Sequence, residues 1–270
     1  MNATNNHSLR GKWALILGAS SGHGGATALE LARNGVNIFG VHLDLRQTLP
    51  NAQRVIEEIE AQGVEAVFFN TNAADDLKRA AVLDAIRERL AEGEHLKVVM
   101  HSLAFGTLKP YVPANQLEAV TRANMEMTLD VMAHSLVYWV QDALYRGLLG
   151  AGSKVFSMTS SGSHRVFATY GPVGCAKAAL EYHTKHLAVE LSSRGIAVNA
   201  IQAGVTDTPA LRKIPGNERM IEFGREHNPG GRVTTPEDVA KAITSVTAHE
   251  GSWLTGNVIA VDGGEDLVML

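Results

Sequence analysis

The chain has 270 residues, 45% of them hydrophobic and 19% charged, with a net charge of −4 and a single cysteine. These values describe a globular chain able to bury a large core. They exclude intrinsic disorder, an internal disulfide framework and a nucleic-acid surface built on basic runs. The opening MNATNNHSLRGK is polar, and no apolar run reaches the roughly 18 residues of a membrane span, so a soluble cytoplasmic protein is expected.

Short apolar runs rich in branched residues alternate with helical patterns from end to end. Strands are expected at 13–17, 36–41, 64–69, 98–101, 155–158, 196–201 and 258–261. Helices are expected at 24–34, 52–62, 75–92, 116–149, 172–194 and 236–249. Thr235-Pro236-Glu237 reads as a helix start and Asn34-Gly35 as a helix stop. Such alternation implies right-handed crossovers and a parallel sheet wound on both faces. No linker or repeat divides the chain, so one domain over 1–270 is expected. The segment 208–231, with Pro209, Pro215, Gly216, Pro229 and Gly230, breaks the rhythm and reads as a long loop serving as a substrate lid.

The first strand runs into Gly18-Ala19-Ser20-Ser21-Gly22-His23-Gly24 and then a helix. Glycines at a strand-to-helix turn let backbone approach a pyrophosphate held on the helix N-terminus. At the end of the second strand, an acid favours NAD and a base accommodates the extra phosphate of NADP. His42 stands there and is not acidic, Asp44 lies two residues later and Arg46 is near enough to reach a phosphate, so NADPH is favoured over NADH. The alternative is that Asp44 takes the ribose. Cys175, in an apolar stretch, is expected to be a buried structural thiol. His164, His183, His186, His227 and His249 lack the spacing of a zinc ligand set, and no metal is expected.

The Gly-x-x-x-Gly-x-Gly spacing resembles the short-chain dehydrogenase/reductase superfamily, which implies a Rossmann-type doubly wound parallel sheet of seven strands. Within it, His101-Ser102-Leu103-Ala104 and the six residues separating Tyr170 from Lys177 resemble the enoyl-acyl-carrier-protein reductases, and most closely the short-chain-like bacterial type that uses NADPH. Ketone-reducing relatives place the tyrosine four residues before the lysine, where this chain has Val173. The resemblance implies cofactor contacts from Gly18, Ser20, Ser21, Gly22, His23, Gly24, His42, Arg46, Asn72, Ala73, Ser102, Leu103, Ala104, Lys177, Gly204, Val205 and Thr208. It also implies catalysis by Tyr170 and Lys177. Ser160 matches the substrate-binding serine of ketone reductases, whereas many enoyl reductases carry a second tyrosine there. Asn124 matches a helix asparagine that supports a proton relay in ketone reductases, and a structural role is equally open.

Hydride addition to the β-carbon of a 2,3-unsaturated thioester builds negative charge on the thioester oxygen, which a hydroxyl donor stabilises. The expected function is therefore reduction of an enoyl thioester carried by acyl-carrier protein or coenzyme A, in fatty acid biosynthesis. Alternatives are a 3-ketoacyl or other ketone/alcohol oxidoreductase and a catalytically silent nucleotide-binding protein. Resemblance, together with an excess of apolar positions over 116–149, implies a homotetramer.

Overall fold

The computed structural model describes residues 9–268, so most of the polar N-terminal stretch lies outside the described residues. Seven parallel strands form one sheet in the order β3-β2-β1-β4-β5-β6-β7. They are β1 (Trp13–Leu17), β2 (Asn37–His42), β3 (Ala66–Asn70), β4 (Leu96–His101), β5 (Lys154–Ser160), β6 (Ala197–Ala203) and β7 (Val258–Val261). The helices are α1 (Gly22–Arg33), α2 (Leu49–Glu60), α3 (Asp76–Arg89), α4 (Arg122–Leu129), α5 (Ser135–Tyr145), α6 (Gly171–Leu191), α7 (Asn217–His227) and α8 (Pro236–Ala248). No helix among the described residues is long and apolar enough to cross a membrane.

The two-residue period of a strand divides the core. On β1, Trp13, Leu15 and Leu17 face a cluster that includes Leu83, Leu136, Trp139 and Leu180, supplied by α3, α5 and α6. Ala14 and Ile16 face the other way, against Leu31, Val55 and Ile243 of α1, α2 and α8. The expected double winding is observed. The strand order reverses between β1 and β4, so the carboxyl ends of these strands flank a crevice, the usual place for a ligand in such sheets.

Three expectations are corrected. The helix expected over 116–149 is interrupted: a 3₁₀ turn at Gln116–Glu118 is followed by a break, and α4 begins only after Thr121. Thr121 and Asn124 cap each other reciprocally there, which satisfies the orphan amides of a new helix start. A π turn at Asp130–His134 then shifts the phase before α5, where the Ser135 hydroxyl donates to the Val131 carbonyl at 2.8 Å. The presumed loop at 208–231 contains a whole helix, α7. Cys175 is exposed rather than buried, because α6 turns Val173, Ala176, Lys177 and Leu180 inward and position 175 falls out of that phase.

Candidate active site

At the end of β1 the chain turns through Gly18 at φ 90° and enters α1 at Gly22. A Cβ on Gly24 would lie 2.1 Å from the Gly18 carbonyl oxygen, and one on Gly18 would lie 2.5 Å from that of Ser102. Backbone therefore packs on backbone here, and only glycine permits it. A Cβ on Gly22 would lie 3.7 Å from the Thr208 side chain, so the loop after β1 and the segment after β6 come close across the crevice.

Beside them opens a cavity of about 340 Å³. Of the expected residues, His23, Ser102, Leu103, Ala104, Ser160, Tyr170, Lys177, Gly204, Val205 and Thr208 line it. Gly18, Ser20, Ser21, Gly22, Gly24, His42, Arg46, Asn72 and Ala73 do not. Asn72 forms a local turn by accepting from the Ala74 amide at 3.0 Å, and Ala73 is buried with its carbonyl accepting from Trp139 Nε1 at 2.8 Å.

Tyr170 stands at the N-cap of α6, so its side chain precedes Lys177 by almost two helical turns. Its hydroxyl lies 3.4 Å from Ser160 Oγ at the end of β5. Burial raises the phenol pKa, and the Ser160 contact offsets this in part. Thr169, immediately before it, has φ 62° and is the only non-glycine at positive φ among the described residues. Gly162 makes room for the ring, since a Cβ there would lie 2.4 Å from Tyr170 Cε1. Lys177 is buried, and its Nζ donates to the Met158 carbonyl at 2.6 Å. Burial lowers its pKa to about 8, with Glu181 acting in the opposite direction.

Two imidazoles share the neighbourhood of that ammonium. His101, at the end of β4, is fully buried and bonds Ser135 Oγ through Nε2 at 2.8 Å. Burial, then Lys177, lowers its pKa to about 3. His23, in the first turn of α1, is lowered to about 4 by the same causes in the same order. Both rings are neutral at working pH.

Arg46 is exposed. Asp44 instead bonds back to the glycine loop: burial opposes its charge, but hydrogen bonds from Thr48, Ser20 and His42 outweigh that and hold the carboxyl below its ordinary range. His42 is buried behind it, with Nδ1 2.8 Å from Asp44 Oδ2. Asn70 pins the Asp44 backbone through two 3.0 Å hydrogen bonds. Asn124 lies outside the cavity lining and serves as a helix cap.

The segment 208–231 supplies residues that sequence reasoning missed. Met220, Phe223, Gly224 and His227 of α7 line the cavity at i, i+3, i+4 and i+7, a helical stripe legible in the sequence but masked by the prolines around it. Arg165 and Glu265 line it as well. Glu265 accepts from the Val205 amide at 3.0 Å, while Asp266 pairs with Arg165 at 2.8 Å and His164 at 2.9 Å. The C-terminal turn is thus fastened to the segment after Ser160. Among the described residues no group of three or more side chains could hold a metal.

A doubly wound sheet with a glycine-rich first turn and a tyrosine, lysine and serine at one crevice defines a nicotinamide-dinucleotide oxidoreductase. A family model described as Enoyl-(Acyl carrier protein) reductase matches residues 18–265. The chain belongs to this family, within the short-chain dehydrogenases/reductases. It is 31% identical to 3-oxoacyl-[acyl-carrier-protein] reductase of Pseudomonas aeruginosa, over 95% of this chain and 98% of that protein. Among solved structures, a short chain dehydrogenase from Burkholderia cenocepacia in complex with NADP is 28% identical, with a TM-score of 0.80 over 96% of this chain and 99% of that one. The enoyl-acyl carrier protein reductase of Bacillus cereus shares the fold at 24% identity, with a TM-score of 0.85 over 97% and 99% of the two chains.

Proposed function

We propose that the protein reduces the 2,3 double bond of an acyl thioester carried on acyl-carrier protein or coenzyme A. One observation carries this reading. The acid, Tyr170, sits at the N-cap of α6, while the position four residues before Lys177 is the buried hydrocarbon Val173 on the cavity wall. A hydroxyl withdrawn along the helix suits an oxygen two bonds farther from the hydride-accepting carbon than in a ketone, as in an enoyl thioester. The family description supports it.

The residues fit a dinucleotide. Glycines 18 and 24 leave a bare backbone cradle, and Lys177 and Val205 open on the same cavity. The cofactor would supply the hydride. Tyr170 donates a hydrogen bond to the thioester oxygen as charge gathers there, and Lys177 eases the resulting charge on the phenol. The apolar stripe of α7, with Leu211 and Ile214, covers the acyl chain and excludes water. Sequence favoured NADPH through Arg46, but the geometry supports NADH, because the carboxylate of Asp44 faces the loop at Ser20 and would repel a 2′-phosphate. Exposed Tyr138 on α5, and Tyr182 and Val189 on α6, support assembly through these helices, with a homotetramer as the proposed state.

A second reading has its own observation. The Ser160–Tyr170 hydroxyl pair is the arrangement expected of a ketone reductase, and the Pseudomonas relative carries that activity in its name. Following cofactor oxidation with crotonyl and acetoacetyl thioesters side by side separates the two. Faster turnover of the crotonyl thioester is expected, and faster turnover of the acetoacetyl thioester would establish the second reading instead.

A further inference from the structure

His23 stands in the glycine loop, where the resemblance implies a cofactor contact without naming the group that makes it, and its side chain is placed as a ligand group. The ring lines the cavity, and it lies close enough to Lys177 to feel that charge. Neither ring nitrogen has a hydrogen-bond partner: Nδ1 is buried, and Nε2 remains accessible on the cavity side. A buried orphan N–H is rarer than a buried orphan acceptor, so the favoured neutral tautomer leaves Nδ1 bare and puts the proton on Nε2. Nε2–H is then a donor facing the cavity without an acceptor. His23 belongs by chain to the first turn of α1, where a pyrophosphate is held, and it faces the reaction end through Lys177. The acceptor it lacks lies between those two places.

We propose that His23 is a cofactor-positioning residue whose Nε2–H donates to an oxygen of the nicotinamide half of the dinucleotide, either the proximal phosphate or the ribose. This rests on the reading of the crevice as a dinucleotide site. It adds to that reading a side-chain contact specific to this chain. Because the ring is neutral, it binds the oxygen without adding a second cation beside Lys177.

The test uses three variants of the full chain, with NADH and NADPH as probes and AMP as a ligand that has only the adenosine half. Loss of one hydrogen bond should weaken the better-bound reduced cofactor about 3- to 10-fold in His23→Leu. AMP affinity should stay within about twofold, since AMP never reaches the donor. The amide nitrogen of Gln falls near Nε2, so His23→Gln should restore binding, and His23→Asn, which mimics Nδ1, should behave like Leu. Unchanged cofactor affinity in His23→Leu overturns the proposal, as does equal weakening of AMP, which would mean the ring only shapes the loop. Rescue by Asn and not Gln overturns the assignment of the donor atom. If the unmodified protein binds neither NADH nor NADPH, the dinucleotide reading itself fails, and the inference fails with it.

Discussion

The hydroxyls of Ser160 and Tyr170 lie 3.4 Å apart, at the end of a strand and the start of a helix ten residues further on. That distance is long for an O–H···O bond, which prefers about 2.7–2.8 Å. The pair is close enough for both hydroxyls to address one substrate oxygen, and loose enough for Tyr170 to act alone.

Substitution separates these possibilities. Tyr170→Phe should lower kcat about 10- to 1000-fold, the range for one lost oxyanion donor, with cofactor affinity retained. Ser160→Ala should cost less than about tenfold on crotonyl thioester. A loss from Ser160→Ala as large as that from Tyr170→Phe would make the serine an obligatory partner and favour ketone chemistry.

Lys177 sets a pH limit. Its pKa in the folded protein is about 8, below the ordinary lysine value, so its charge is present below that pH and disappears as pH rises through it. Activity that depends on the cation should fall above about pH 8. Stability moves the other way: between about 8 and the unfolded lysine value near 10.4 the unfolded chain binds more protons, so this group favours folding as pH rises. A kcat/KM profile flat to pH 10 would show that the charge is not used.

Cofactor choice turns on Asp44. Asp44→Ala removes the carboxylate bonded to Ser20 and should shift preference toward NADPH. Arg46→Ala should leave NADH use nearly unchanged. Titration of both cofactors decides the matter, and tighter NADPH binding by the unmodified protein would return the assignment to Arg46.

Thr169 holds a β-branched side chain at φ 62°, a conformation costing of order 1–3 kcal/mol. Asn tolerates that region better, so Thr169→Asn should raise stability by about 0.5–1 kcal/mol. If the strain serves to aim Tyr170, kcat should fall as stability rises. A variant both more stable and fully active would show that the strain is incidental.

Much of this molecule is legible in its residues, for identifiable reasons. Every strand was expected within two or three residues of its place, because buried parallel strands are short runs of branched residues bounded by turns. Tyr170, Lys177 and Ser160 were singled out through the family resemblance, and all three line one cavity. What escaped was decided by tertiary contact. The prolines around α7 hid an amphipathic helix, and the π turn at Asp130–His134 altered a phase that a uniform 3.6-residue count cannot follow. The bonds of Asp44 to Ser20 and His42 were not legible, because they depend on where two separate turns meet.

Gly162 carries no chemistry, yet the Tyr170 ring fills the volume its side chain would need. The Tyr170 phenol is in effect the side chain of two positions at once. Ala at 162 would evict the ring from its seat while disturbing little of the sheet beneath it, so a single methyl group could produce a well-folded protein that has lost its acid. At this position the space allowed to variation is set by the Tyr170 ring rather than by the sheet.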